Sequence, residues 1–367
     1  MQTADAIIIG GGMVGAAIAY GLRSRGLDTL MLDEGDVAFR AARGNFGLVW
    51  VQSKGIDCPE YAAWTRRSAD LWPDFAAEMA DLTGIDLQHE RPGGLHVCLS
   101  EDEFETRRGQ MMRLHNHAAG AFPFEMLDRQ ALASRLKGLG PDVVGGSFSP
   151  LDGHANPLHL WRALHTGYQA RGGRTRTEAR VTDITWRHGT YRLATTAGPI
   201  EAPKVVIAAG LGTKPLAAML GLAAPINPLR GQILVTERAE PFLDLPLTWV
   251  RQTGEGSIMM GDSHEDVGFD DGTRWDVLAG IADRARRIFP FLEGARIVRA
   301  WGALRPYSPD GLPVYDRPPE GDGAFVASVH SGVTLAAIHA GPLAAAIADG
   351  QLPDDVSVLK AARFHVH

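Results

Sequence analysis

The stretch AIIIGGGMVG at residues 6–15 decides the fold. Its opening apolar run predicts a short buried strand, because the run is β-branched and too short for a helix. A helical pattern follows the glycines, and Gly26 is suited to end that helix. The run TLML at residues 29–32 predicts a second buried strand. Residues 1–35 therefore predict one βαβ unit.

The glycines in this unit have the spacing of a dinucleotide fingerprint. Gly10 is expected to make the tight turn, Gly12 to let the backbone approach a pyrophosphate, and Gly15 to let the helix pack on the strand. The N-terminus of the helix attracts the phosphate charge. Asp33 lies near the spacing expected for a carboxylate that binds a ribose hydroxyl, with Glu34 as the alternative. The fingerprint alone leaves NAD and FAD open.

Composition and charge limit the class of protein. The chain has 367 residues, of which 45% are hydrophobic and 22% charged, which is ordinary for a globular protein with room for two domains. Glycine is abundant at 43 residues but follows no period, which excludes collagen. The net charge of −7 argues against non-specific binding to nucleic acid or to an anionic membrane.

The cysteines and histidines indicate neither a disulfide framework nor a metal site. Cys58 and Cys98 form neither a disulfide framework nor a zinc-type spacing. The pairs at 115/117 and 365/367 lack the flanking ligands that a metal needs, so we predict no metal site. No apolar run reaches 18 residues, so we expect a cytoplasmic protein without a transmembrane segment.

Hydrophobic patterns predict α/β units at both ends of the chain and strand-rich sequence between them. Helices are predicted at 60–82 (with a kink or boundary at Pro73), 101–117, 157–171, 276–289 and 333–349. Strands are predicted at 93–99 and 324–329, in three runs within 180–207, and as antiparallel strands within 229–262. The charge run at 101–108 is expected to be a solvated helix face.

This order of elements predicts two domains that interrupt each other. The fold class is α/β (α+β overall), with a Rossmann-like domain built from 1–82, 146–225 and 296–367. An antiparallel-sheet substrate domain is inserted as 83–145 and 226–295.

Motifs along nearly the whole chain give a family resemblance. They are ARGNFG (42–47), DGHANP (152–157), VVIAAG (205–210), LRGQ (229–232), GDSHE (261–265), WGALRP (301–306), SPDGLP (308–313) and HSGVTL (330–335). Together with the fingerprint, they resemble the D-amino-acid oxidase (DAO) superfamily of FAD-dependent amine oxidoreductases. Within it, RGNFGLVW at 43–50 is most similar to the B subunits of opine (octopine and nopaline) oxidases. Glycine and sarcosine oxidases are wider relatives.

The resemblance implies that the dinucleotide is FAD. No cysteine follows Arg305, in the region where some sarcosine oxidases attach FAD covalently, so we expect non-covalent FAD. Ala41 and Ala42 stand where many relatives have serine or threonine, so a hydroxyl to the pyrophosphate is expected to be missing. The residues expected to bind FAD are Gly10, Gly12, Met13, Val14, Gly15, Asp33, Glu34, Arg43, Gly44, Asn45, Val181, Ala209, Gly210, Ser331, Gly332, Val333 and Thr334. The turn 331–334 is expected to open the last helix and to stabilise the negative charge of reduced flavin.

The resemblance also implies an activity. The substrate is expected to be an amino acid or secondary-amine acid (opine-like, D-amino acid, N-methyl amino acid or proline analogue). Its C–N bond is oxidised by hydride transfer to flavin N5, and the imine then hydrolyses. Arg305 is the expected carboxylate ligand, because a guanidinium fork matches a carboxylate. Further candidates for the wall of the pocket are Trp50, Gln52, Arg251, Tyr307 and His330, with Arg251 considered for a second carboxylate.

The relatives imply a hetero-oligomer with small electron-transfer partners, such as an iron–sulfur or second flavoprotein chain. Two alternatives remain at this point. One is an NAD-dependent dehydrogenase that shares only the fingerprint, and the other is a non-catalytic electron-relay flavoprotein subunit.

Overall fold

A computed structural model describes residues 2–35 and 41–364. The helices are α1 (Met13–Ser24), α2 (Pro59–Thr83), α3 (Glu101–His117), α4 (Arg129–Arg135), α5 (Pro157–Ala170), α6 (Thr213–Ala218), α7 (Trp275–Ile288), α8 (Ala336–Ile338) and α9 (Ala344–Ala348). The strands are β1 (Gln2–Thr3), β2 (Ala6–Ile9), β3 (Thr29–Leu32), β4 (Leu48–Val49), β5 (Gly94–Cys98), β6 (Glu125–Asp128), β7 (Gly145–Ser149), β8 (Gly153–His154), β9 (Arg174–Arg176), β10 (Val181–Arg187), β11 (Thr190–Thr195), β12 (Ile200–Ala202), β13 (Lys204–Ile207), β14 (Asn227–Arg238), β15 (Val250–Gln252), β16 (Ser257–Gly261), β17 (Ile297–Tyr307), β18 (Val314–Asp316) and β19 (Ala324–Ser328).

The central sheet has the strand order β18-β19-β13-β2-β3-β9. All its neighbours are parallel except the pair β18–β19. The strands β2, β3, β13 and β19 are apolar and almost entirely buried, as expected for parallel strands covered on both faces. Because parallel strands end at the same edge, the loops after β2, β3, β13 and β19 meet there.

The alternation of side chains along β2 defines two core layers. Ala6 and Ile8 pack with a helical layer, whose buried residues come from α1, α2, α5 and the 336–348 helices. Ile7 and Ile9 face the other layer, where the sheet β1-β12-β11-β10 covers the central sheet. The result is a three-layer α/β arrangement.

A second body of structure combines two further sheets. The antiparallel sheet β15-β16-β14-β17 and the sheet β5-β7-β6 share one hydrophobic core with α4 and α7. An isolated parallel bridge joins Leu95 of β5 to Leu247, in the segment between β14 and β15. The mixed α/β fold class is thus confirmed.

Some predicted elements differ in detail. Pro73 lies inside the uninterrupted α2. The segment 180–207 holds four strands rather than three, and β10–β12 belong to a sheet separate from that of β13. The last helix begins at Ala336 and contains a π-helical turn, His339–Leu343, around Pro342.

The predicted domain boundary at 295/296 separates β17 from its sheet partners. β17 pairs with β14 from Asn227↔Tyr307 to Thr236↔Ile297. A division that keeps whole sheets together would place β17 with the inserted domain, so the two-domain division stays a proposal.

No helix in the part of the chain that the structure describes is long and apolar enough to cross a membrane. The same residues contain no group of three or more histidine, cysteine or acidic side chains that could hold a metal ion. Of the two histidine pairs considered above, the one at 365/367 lies outside the described residues.

Candidate active site

A cavity of about 440 Å³ lies at the carboxyl ends of the central strands. Its wall contains the first glycine loop, the ends of β3 and β13, and the residues that follow β19. This is the edge where open α/β sheets bind their ligands. Of the residues predicted to bind the dinucleotide, this wall contains Gly10, Gly12, Met13, Val14, Asp33, Glu34, Asn45, Val181, Ala209, Gly210, Gly332 and Val333.

The three fingerprint glycines have different surroundings. Gly10 has φ +109°, and a Cβ there would collide with the carbonyl oxygen of Ala208. A Cβ on Gly15 would collide with the carbonyl oxygen of Gly10, so α1 packs directly on the loop. A Cβ on Gly12, in contrast, would meet nothing within 4 Å among the described residues. The open side of the loop is therefore at Gly12, where a pyrophosphate needs to approach.

Asp33 fixes the geometry of the glycine loop. Its carboxylate accepts hydrogen bonds from the Gly11 N–H at 2.9 Å and the Gly35 N–H at 2.8 Å. From α5, Trp161 Nε1 donates to the Gly11 carbonyl oxygen at 2.8 Å, and His165 Nε2 lies 2.9 Å from the same oxygen. The loop is thus held from both sides before any ligand binds.

One buried polar atom on this wall has no partner. The Ser328 hydroxyl, at the end of β19, is buried and forms no hydrogen bond within the described part of the chain. An unsatisfied hydroxyl of this kind is costly unless a ligand completes it. The open Gly12 side, the carboxylates at the end of β3 and this hydroxyl fit a dinucleotide.

A second cavity of about 730 Å³ adjoins the first. Both cavities share Ala41, Asn45, His330 and Val333 as wall residues. The second wall carries three cationic side chains, which are Lys54, Arg107 and Arg305. Since it lies between the central sheet and the β14–β17 sheet, it is the place where a substrate could meet a cofactor bound in the first cavity.

Arg305, the predicted carboxylate ligand, lines the second cavity but is already paired. Its Nη1 lies 2.5 Å from Asp262 Oδ2, and its Nη2 donates to the backbone carbonyls of Ser263 and, at 3.2 Å, Arg230. The Arg305 side chain is 18% exposed. A ligand carboxylate would have to compete with Asp262 for this guanidinium.

Lys54 and His330 form the second cluster on this wall. Lys54 Nζ lies 3.0 Å from His330 Nε2, and the Ser331 hydroxyl lies 3.1 Å from the same nitrogen. The Tyr61 hydroxyl donates to Ser331 Oγ at 3.0 Å. Burial lowers the pKa of Lys54 to about 8, and burial together with the nearby Lys54 and Arg305 holds the pKa of His330 well below its usual value. Lys54 was not predicted from the sequence.

Arg107 is the third cation, and it is the charged exception to the expected solvated face at 101–108, most of which is exposed. Its side chain is 2% exposed. It donates to Ser147 Oγ at 2.8 Å, to Gln52 Oε1 at 2.6 Å and to Gln110 Oε1 at 3.0 Å. Gln52 in turn donates to the buried carboxylate of Asp152. Burial lowers the pKa of Arg107 to about 10.

The family of the chain follows from its sequence and agrees with this geometry. The profile of the FAD dependent oxidoreductase (DAO) family matches residues 5–346. The chain belongs to this family. FAD is therefore the cofactor, and the choice between NAD and FAD that the glycines left open is resolved.

Curated relatives of this oxidoreductase cover its whole length. The B subunit of opine oxidase from Agrobacterium tumefaciens (strain Ach5) is 43% identical over 366 residues, which are 100% of this chain and 99% of the relative. The B subunit of opine oxidase from Rhizobium meliloti is 42% identical, over 99% and 98% of the two chains. Glycine oxidase from Bacillus licheniformis is 25% identical, over 90% and 89%.

A solved structure shows the same fold. The glycine oxidase from Geobacillus kaustophilus superimposes with a TM-score of 0.91 at 24% identity, and each chain is covered to 100%. The family match over residues 5–346 and the full-length relatives confirm the predicted resemblance to the DAO superfamily.

The structure brings most of the predicted pocket residues of this DAO-family chain together. The second wall contains Gly44, Asn45, Trp50, Arg305, Tyr307, His330, Ser331, Val333 and Thr334. The Thr334 hydroxyl accepts from the Trp50 N–H at 3.1 Å and donates to the Leu48 carbonyl at 3.2 Å, which ties the last turn to the loop after β4. The Tyr307 and His330 rings lie 5.0 Å apart.

Other predicted residues lie behind the walls. Arg251 is buried beside His154 Nδ1 at 3.2 Å and the Met259 sulfur, away from both cavities, because all of β15 is covered. Gln52 supports Arg107 and does not face the cavity. Gly15 packs against the loop, and the Arg43 guanidinium lies 6.0 Å from the Trp161 ring.

Proposed function

We propose that this chain oxidises the C–N bond of an amine that carries a carboxylate, with opine-like secondary-amine acids as the first candidates. D-amino acids, N-methyl amino acids and proline analogues are the further candidates. The observation that carries the proposal is the second cavity, which adjoins the cofactor cavity and presents Lys54, Arg107 and Arg305. The relatives named as opine oxidases support the choice of substrate class.

Bound FAD would supply the two-electron acceptor, flavin N5, for a hydride from the α-carbon of the substrate. The amine is thereby oxidised by two electrons to an imine. Water then adds to the imine, and an oxo acid and an amine leave. The protein's task is to bind and orient the substrate and to provide the charges around it.

We assign the α-carboxylate of the substrate to Arg305. A carboxylate fits its guanidinium fork and would replace Asp262 as the partner. Trp50 and Tyr307 supply apolar and aromatic wall beside it. Arg305 and the 331–334 turn line the same cavity. This arrangement supports a substrate that lies directly against the flavin ring.

We further propose non-covalent FAD, held by the glycine loop, Asp33 or Glu34, and the 331–334 turn. Treatment with acid should release free FAD into the supernatant and leave a colourless protein.

The word "subunit" in the relatives' names supports the proposal that this chain works in a hetero-oligomer that passes electrons to partner chains. A lone chain that turns over with oxygen at full rate would contradict it.

An anaerobic screen tests the activity. The purified flavoprotein is mixed with octopine, nopaline, D-amino acids, N-methyl amino acids and proline, and loss of the flavin absorbance is followed. We expect one class to bleach the flavin, and Arg305→Lys to weaken binding of that amine by roughly 30-fold or more, as loss of a charge-paired fork costs about 2–5 kcal/mol. If no amine bleaches the wild-type flavin, the non-catalytic electron-relay role is the better description.

A further inference from the structure

Lys54 is a charged side chain on the substrate cavity that the proposed chemistry has not used. It lies in the loop after β4, is half-buried, and faces the second cavity. Within residues 2–35 and 41–364 it forms no ion pair, and its one polar contact is His330 Nε2 at 3.0 Å. An ammonium group held under the surface without a carboxylate partner is unusual, because burial penalises the charged form.

Lys54 is surrounded by charged and titratable side chains from each element packed against it. Asp262, which follows β16, and Asp152, which precedes β8, favour the protonated form, whereas Arg305 on β17 disfavours it. Desolvation outweighs them, and the pKa of Lys54 falls to about 8. His264 and His330 have lowered pKa values, also mainly through desolvation. In this cluster Lys54 is therefore the group that loses its proton in mildly alkaline solution.

The hydrogen bonds of His330 determine how Lys54 is oriented. The His330 ring hydrogen-bonds to the Gly311 backbone, which leaves Nε2 as an acceptor. Lys54 Nζ donates to that acceptor at 3.0 Å. When Lys54 is neutral, one N–H still satisfies His330, and the lone pair of Nζ is left for the cavity. His330 is thus a positioning residue for Lys54.

A proton must leave the substrate before its oxidation. Amino acids and secondary-amine acids are ammonium ions near neutral pH, and an ammonium nitrogen has no lone pair to stabilise the carbon that gives up the hydride. We propose that Lys54 accepts this proton. The N–H bond of the substrate ammonium breaks, the proton forms a new N–H bond on Lys54 Nζ, and no electrons are exchanged in this step. Lys54 later returns the proton to water.

This proposal rests on the proposed amine oxidation, and Lys54→Arg and Lys54→Met separate charge from basicity. Lys54→Arg keeps the cation but is no proton acceptor near neutral pH, because a guanidinium holds its proton far more strongly than an ammonium does. The probe is octopine, or whichever amine of the screen bleaches the flavin fastest. The rate of anaerobic flavin reduction at low substrate concentration is measured across about pH 6 to 10.

For the wild type we expect the rate to rise with pH around an apparent pKa of about 8. Both variants should lose that step and react about 100-fold or more slowly near pH 7. Added ethylamine should restore part of the rate in a Lys54→Ala variant, where it fills the vacated space, and none in Lys54→Arg. Retained flavin absorbance and melting temperature show that the variants fold.

A second measurement separates a proton acceptor from a carboxylate anchor. Thiodiglycolate carries two carboxylates around a thioether and has no amine to oxidise, and its binding is followed by the flavin spectrum. We expect Lys54→Met, which removes the cation, to bind it within about threefold of the wild type, whereas a loss of about tenfold or more would make Lys54 a carboxylate anchor. If Lys54→Arg kept the wild-type rate and pH profile of flavin reduction, Lys54 would not be the proton acceptor. If no amine reduces the wild type, the proposed function itself is refuted, and the role of Lys54 with it.

Discussion

Substituting Gly12 and Gly15 one at a time separates stability from cofactor binding. A Cβ on Gly15 collides with the Gly10 carbonyl and lies 3.4 Å from Ala208 Cβ, so Gly15→Ala pushes α1 off the loop. Overpacking of this kind costs about 1–3 kcal/mol and outweighs the helix propensity gained, about 1 kcal/mol. Gly12 has φ −73° and open space beside it, so Gly12→Ala should change the stability of the apoprotein by less than about 1 kcal/mol.

FAD binding, in contrast to stability, should respond to the change at Gly12. The Cβ of Gly12→Ala enters the space left for the pyrophosphate, and we expect the FAD dissociation constant to rise at least about tenfold, or 1.4 kcal/mol. Apoprotein is prepared with acid, thermal unfolding is measured without FAD, and FAD binding is then titrated by quenching of flavin fluorescence. Equal FAD affinity in Gly12→Ala and wild type would refute this placement of the cofactor, and an apoprotein of Gly15→Ala as stable as wild type would refute the packing of α1 on the loop.

Four further substitutions test charged side chains at and near the second cavity and a buried histidine in the π-helical turn. Asp262→Asn frees the Arg305 fork and should tighten thiodiglycolate binding by on the order of tenfold; unchanged affinity would show that Arg305 is not a carboxylate ligand. His339 is fully buried, and burial lowers its pKa to about 3. As the pH drops from about 6.5 toward 3, this histidine is protonated in the unfolded chain but not in the folded protein, so the free energy of unfolding falls. Urea unfolding between pH 5 and 7 should show an average slope about 1 kcal/mol per pH unit smaller in His339→Gln, and an unchanged slope would contradict a neutral buried ring. Arg107→Met should lower the free energy of unfolding by about 3 kcal/mol, because it leaves the buried partners of Arg107 without a donor. The control Arg108→Met, at the exposed neighbour, should lower it by less than about 0.5 kcal/mol. Similar losses in both variants would contradict the buried network.

Local patterns predicted the dinucleotide half of the molecule well. The strand–glycine–helix–strand order of residues 6–32 depends on neighbours in sequence, so periodicity and glycine spacing contain the information. The π-helical turn around Pro342 and the uninterrupted α2 at Pro73 depend instead on tertiary packing, which overrides a local breaker.

The substrate side was less predictable, because its contacts join distant segments. Arg107 stands in a charged run on α3, and its guanidinium is held by Ser147 of β7 and Gln52 of the loop after β4, 40 and 55 residues away. Lys54 meets His330 across 276 residues. Arg251 was placed near the substrate by sequence position, yet β15 is covered on both faces and directs it elsewhere.

The interleaved central sheet has a consequence for synthesis of the chain. β13 lies between β2 and β19, and the wall of the first cavity runs from Ile9 to Val333. A nascent chain on the ribosome therefore carries the glycine loop long before the opposite wall exists. Until β19 emerges, the β13 edge has no partner and the cavity cannot close around FAD. Capture of the vitamin-derived cofactor thus reports that β19 and the turn after it have been made, and chains truncated before β19 should remain apoprotein with an unprotected sheet edge.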